Sequence, residues 1–157
     1  MSIREGRILA IDPGRVRIGL AKSDPLGIVA QGLPTLESSG RRKDLDALEA
    51  LVREHEIVEI VVGRPVGMDG ARGEMTAFAE QLAEALHGRT GLPVRLWDER
   101  LTSAEAERTL IAANVRREER RGLRDRLAAS LILQGFLDAR ASSSAAGESG
   151  EEEEDST

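Results

Sequence analysis

The run Ile57–Val62 (Ile-Val-Glu-Ile-Val-Val) constrains this chain more than any other feature. It is β-branched, apolar and stopped by Gly63 and Pro65, so it reads as a strand. On either side of it the apolar spacing is helical. Before it, Leu45, Leu48, Leu51 and Val52 recur at helical intervals; after it, a glycine-rich loop over 66–72 leads to Met75, Phe78, Ala79, Leu82, Ala83 and Leu86 on one face, with Gly88 and Gly91 ending that helix. Pro93 to Trp97 reads as a further strand. Thr102-Ser103-Ala104-Glu105 fits a capping box that opens a third helix through about Ala113. Strands alternating with helices lie parallel to one another.

The N-terminal part has a different rhythm. Residues 7–12 and 17–22 read as two strands joined by the Asp12-Pro13-Gly14 turn, and Gly27 to Leu33 as a third that ends at Pro34. Short strands with tight links predict an antiparallel meander. The last helix is expected from about Leu123 to Arg140, deeply packed because Leu-Ala-Ala-Ser-Leu-Ile-Leu-Gln-Gly-Phe-Leu is apolar nearly all round. The expected fold is α/β: a mixed sheet, with an antiparallel β1-β2-β3 meander and parallel strands after it, flanked by helices.

A chain of 157 residues accommodates one such domain, and the absence of cysteine excludes disulfides and thiolate zinc sites. The formal net charge of −6 argues at first against a nucleic-acid partner. Six acids, however, sit in residues 142–157, which hold no base; without them 22 acids face 22 bases. We therefore divide the chain into a neutral domain over 1–141 and an acidic, disordered tail over 142–157. Residues 100–126 carry eight arginines against five acids, with Arg116, Arg117, Arg120, Arg121 and Arg124 clustered. Such a cluster is ordinarily a solvated face, and it gains meaning only beside an active site. With no signal-peptide pattern at the N-terminus and no apolar stretch of membrane-spanning length, a cytoplasmic protein is expected.

In open α/β sheets, sites gather at the carboxyl ends of the parallel strands. Here those ends carry Asp12, Gly63, and Asp98 with Glu99, while Asp125 opens the last helix. The topology brings Asp12, Glu99 and Asp125 to one rim. Carboxylates held together repel, and a hard divalent ion with a preference for oxygen removes that cost. Two such ions, roughly 3.5–4 Å apart, activate water and stabilise the leaving oxygen of a phosphodiester. His55 and His87 read as surface or helix-end residues, so nucleophilic triads have no base. Each feature also has a plainer reading. Asp-Pro-Gly is an ordinary turn, Gly63-Arg64-Pro65 a strand end, Asp98-Glu99-Arg100 a complement to a helix dipole, and Asp125 a surface ion pair.

Four segments resemble the YqgF family of pre-16S rRNA nucleases, resolvase-like proteins of the RNase H fold. They are Ile8 to Gly14 with Arg17 to Asp24; Val61 to Pro65 with Met68-Asp69-Gly70; Trp97 to Ala106; and Asp125 to Gln134. The third and fourth are specific in combination; the hairpin alone is weak. The resemblance implies that Asp12, Glu99 and Asp125 are catalytic, metal-binding acids using Mg2+ or Mn2+ on a nucleic-acid substrate. Glu99 rather than Asp98 matches the family position, and adjacent residues diverge in direction. Arg17, Arg100 and Thr102 match positions near the site, the arginines to hold phosphate and Thr102 to cap a helix. Arg17, Arg64, Arg100, Arg117 and Arg121 are the candidate nucleic-acid contacts. Ala10 stands where the family often has glycine, Gly67 where asparagine is common, and Arg64 where an apolar residue is usual.

The implied function is processing of the 5′ end of pre-16S rRNA in ribosome biogenesis, by a monomer or homodimer. Resolution of four-way DNA junctions is a close variant and requires a two-fold dimer to cut two strands symmetrically. A non-catalytic ribosome-assembly or nucleic-acid-binding factor is expected to lack one of the acids. An actin-like kinase needs a second lobe, for which this chain has no room. Aromatic residues are limited to Phe78, Trp97 and Phe136, so binding is expected to run through phosphates rather than base stacking.

Overall fold

The computed structural model describes residues 6–65, 72–99 and 127–143. Strands β1 (Arg7–Asp12), β2 (Arg17–Ser23) and β3 (Ala30–Glu37) are followed by α1 (Arg41–Glu54), β4 (Ile57–Arg64), α2 (Glu74–Thr90) and β5 (Val94–Asp98). A last helix, α3, is described over 127–143. The strands form one five-stranded sheet in the order β3-β2-β1-β4-β5. The first three pair antiparallel, and β1, β4 and β5 run parallel, giving the expected mixed sheet. The helix expected to open at Thr102 lies outside the described residues. No helix among the described residues is long and apolar enough to cross a membrane.

The two-residue period of the strands divides the core between the two faces of the sheet. On one face Leu9, Ile11, Ile18, Leu20, Ile60 and Val62 pack against Leu45, Leu48 and Val52 of α1 and Leu82 and Leu86 of α2. On the other, Ile8, Ala10, Ala21 and Val61 meet Ala129, Ile132, Leu133, Phe136 and Leu137 of α3. Ala10 and Ala21 are register partners and fully buried. Their short side chains let α3 approach the sheet closely, so alanine at position 10 serves the same packing as glycine would.

Several ends shift by one to three residues, among them β2 to Ser23, β5 to Val94–Asp98 and the last helix to 143, and three boundaries differ for a physical reason. β3 runs Ala30–Glu37 with Pro34 inside it, not Gly27–Leu33. It is an edge strand, where a missing N–H costs no ladder bond, and the register shift opposite Gly19 absorbs the proline. β4 continues to Arg64, pairing Gly63 with Trp97 and Arg64 with Asp98. α2 passes through Gly88 and stops at Gly91, whose φ of 71° allows its N–H to reach the carbonyl of His87 at 2.9 Å.

Candidate active site

Asp12 is the last residue of β1, an interior strand laddered on both sides, so its backbone is fixed by the sheet. The turn that follows needs Gly14, because a Cβ there would stand 2.2 Å from the carbonyl oxygen of Arg17. Asp12 follows the alternation of Ile8 and Ala10, which places its side chain on the α3 face.

Ile11 pairs with Val62 and Gly63 with Trp97, so Asp12, Gly63 and the end of β5 stand at one level. Gly63 is buried, and a Cβ on it would meet Ile132 Cδ1 of α3 at 2.6 Å and Glu99 Oε1 at 3.1 Å. The Glu99 carboxylate therefore leans across the bare backbone of β4, toward β1. That leaves it roughly one strand spacing, ~5 Å, from the strand that bears Asp12. Asp98 follows Val94 to the opposite face, so Asp98 and Glu99 diverge.

Helix α3 runs from this rim to the far end of the sheet. Ile132 lies over Gly63, while Arg140 reaches Glu59 at the start of β4. Its N-terminal end is thus directed toward the rim, and Asp125 precedes the first described residue of α3 by two positions in the sequence. Asp125, Arg100, Thr102, Arg117 and Arg121 all lie outside the described residues. Among the described residues no group of three or more acids, histidines or cysteines is gathered as for a metal. The donor pair that is described, Asp12 and Glu99, offers only carboxylate oxygens on one face of two parallel strand ends. That donor chemistry fits a hard divalent cation and not a soft one.

Arg17 opens β2, is exposed, and shares the Asp12 face because Asp12 pairs with Gly19 two residues along. Arg64 faces the other way, toward α2: its Nη2 lies 3.7 Å from Glu80, and its buried Nε has no hydrogen-bond partner among the described residues. Two rim arginines were not singled out from the sequence. Arg15 is bonded to Glu74 and Arg72 to Glu80, tying the β1–β2 turn and the loop before α2 to that helix. Pairings across 59 and 8 residues leave no local signal.

The site also depends on structure behind it. Glu59 is buried on the α3 face and accepts from Arg95 Nε at 2.9 Å and from Arg140 Nη1 and Nη2 at 2.9 and 2.6 Å. Burial pushes its carboxyl up, but the hydrogen bonds from Arg140 and Arg95 outweigh this and hold it below its ordinary value. In turn, Glu59 raises the pKa of Arg140.

A family model described as RuvX, Holliday junction resolvase, matches residues 6–139. A protein of Koribacter versatilis named "Putative pre-16S rRNA nuclease" is 50% identical over 135 residues, covering 86% of this chain and 88% of its own. Proteins of the same name from Listeria monocytogenes and Myxococcus xanthus are 46% identical over 134 residues and 43% identical over 133. They cover 84% and 85% of this chain, and 97% and 88% of their own. Among solved structures, Thermus thermophilus RuvC in complex with a Holliday junction substrate superposes with a TM-score of 0.60 at 16% identity, over 87% of this chain and 96% of that one. At that identity the likeness speaks for the fold, which is RNase H-like.

Proposed function

The chain belongs to the RuvX family, and on that premise we propose that this nuclease hydrolyses phosphodiester bonds at the 5′ end of pre-16S rRNA during ribosome biogenesis, in the cytoplasm. The observation that carries this reading is the Glu99 carboxylate leaning over Gly63 toward the strand that ends in Asp12. We propose Asp125 as the third acid, supported by the direction of α3.

In this reading Asp12, Glu99 and Asp125 hold Mg2+ or Mn2+. Such an ion, when bound, supplies Lewis acidity toward a phosphoryl oxygen and lowers the pKa of a coordinated water. The protein supplies the rest. The interior strand fixes Asp12, so its carboxylate keeps its place without reorganisation. Ile132 and the Glu99 carboxylate share the space above Gly63. Arg17 offers a guanidinium to a backbone phosphate on the same rim, and Arg100, Arg117 and Arg121 extend that contact. Arg64, on the α2 side, contributes to a phosphate path only on the side of the rim away from the acids.

The description of the matching family favours a second reading, resolution of four-way DNA junctions. The deciding experiment sets the wild type beside Asp12→Asn, each with Mg2+ or Mn2+. The substrates are a labelled 5′-extended small-subunit rRNA precursor and a four-way junction. The first reading expects metal-dependent cutting of the precursor, abolished in the variant. Preferential paired cutting of the junction would replace it with the second. Equal cutting by both proteins, or binding without cutting, defeats the assignment of Asp12.

A further inference from the structure

The end of the sheet away from Asp12 and Glu99 carries large apolar side chains in water. Leu26, Ile28 and Val29, in the loop between β2 and β3, are 68%, 60% and 58% exposed. This loop is built around a carboxylate. Asp24 accepts hydrogen bonds from the N–H of Leu26 at 3.3 Å and of Ile28 and Val29 at 2.7 Å. Gln134 of α3 clamps it from the side, accepting from Ala30 N–H and donating to the carbonyl of Ile28, both at 3.0 Å. A loop bonded in this way presents its apolar side chains at a fixed position, so little ordering entropy opposes their burial by a partner.

The same loop is one wall of a hollow of about 470 Å³, whose lining includes Ile8, Val58, Pro93 and Leu137 with Arg95 and Arg140. Knob and hollow therefore share one patch. Charge is divided in the same sense. Asp24 and Asp138, the latter accepting from Gln134 Nε2 at 3.0 Å, stand on the knob side. Arg95 and Arg140, 59% and 44% exposed, stand on the hollow side with Glu59, which both of them bond, leaving one net positive charge there.

We propose that two copies of this chain pair through this face, the Leu26–Val29 knob of each entering the hollow of the other. An unrelated partner needs only a knob or a hollow. A surface that carries both, with acids beside one and arginines beside the other, becomes complementary to itself when a two-fold axis passes between them. From Ile8 to Asp12 the strand extends about 13 Å, so the pairing leaves both acid sites uncovered.

The test is sedimentation velocity of the full chain from about 1 to about 100 µM, with folding checked by circular dichroism. The wild type is expected to double in mass across that range. Leu26→Asp/Ile28→Asp, at two exposed positions, remains a monomer, while Val16→Asp, exposed at the opposite end of the sheet, pairs as the wild type does. Asp138→Arg, which sets like charge against Arg95 and Arg140, weakens pairing about ten-fold or more. The proposal is overturned by a wild type monomeric at the highest concentration, which leaves the face to a different protein. Pairing retained by the double variant, lost in Val16→Asp, or unweakened in Asp138→Arg overturns it as well.

Discussion

Glu99 Oε1 stands 3.1 Å from the point a Cβ on Gly63 would occupy, so a single methyl group there contests the position of the carboxylate. Gly63→Ala is expected to lower kcat by up to about 100-fold, the scale of a displacement near 1 Å in an active site. Its effect on stability is smaller, about 1–2 kcal/mol, because the closer contact is the flexible end of Ile132. Adding Ile132→Val should restore the melting temperature and leave kcat low. Recovery of both together would mean that packing, not Glu99, is what Gly63 protects.

Glu59 links stability to pH. Its folded pKa lies below the ordinary 4.5, so the stability it contributes is present above that value and is lost as pH falls through the folded pKa. Glu59→Gln should cost about 1–2 kcal/mol near pH 7, a buried-pair figure reduced because Arg95 and Arg140 are themselves partly in water. Thermal melts between pH 7 and 3 should show the two proteins converging as pH drops below 4.5. A constant gap across that range would remove the ion pair from the explanation.

Asp24 keeps its carboxyl below the usual range chiefly through the N–H of Val29, helped by those of Ile28 and Leu26. Asp24→Ala removes the acceptor from all three amides. Hydrogen exchange at Leu26, Ile28 and Val29 should then quicken while that of β1 and β4 is unchanged. Equal protection in the variant would show that Gln134 alone holds the loop.

No described aromatic ring offers an open stacking platform. Phe136 is buried against Trp97 at 5.8 Å between centroids, and Phe78 lies under Arg41 at 4.7 Å. Nucleic-acid affinity should therefore fall steeply with salt, and Arg17→Ala should reduce the log–log salt slope by about one. An unchanged slope would place Arg17 away from the phosphates.

What was legible in the sequence follows from local pattern. The run Ile57–Val62 between helical spacings foretold a parallel strand, and the unbroken apolar run Ile8–Ile11 foretold a buried one, with all four residues out of water. Pro34 misled, because a proline ends a central strand and not an edge one, and edge position is a property of the whole sheet. Gly88 misled for a related reason: a glycine inside a helix costs only about 1 kcal/mol, which the packing of Leu82 and Leu86 offsets. At the site, Asp12 and Glu99 were nameable, but the tilt of Glu99 over Gly63 was not, since it depends on β5 being the neighbour of β4. The Glu59–Arg140 pair spans 81 residues and has no trace in local composition.

Helix α3 touches Gly63 through Ile132 and grips Glu59 through Arg140, eight residues and about 12 Å further along its axis. A rod anchored in that manner is a lever. Turning it by about 5° about the Arg140 end carries Ile132 sideways by about 1 Å, over the glycine beside which the Glu99 carboxylate also lies. The angle of one helix thereby bears on the space above Gly63, where the acid at the other end of the sheet lies.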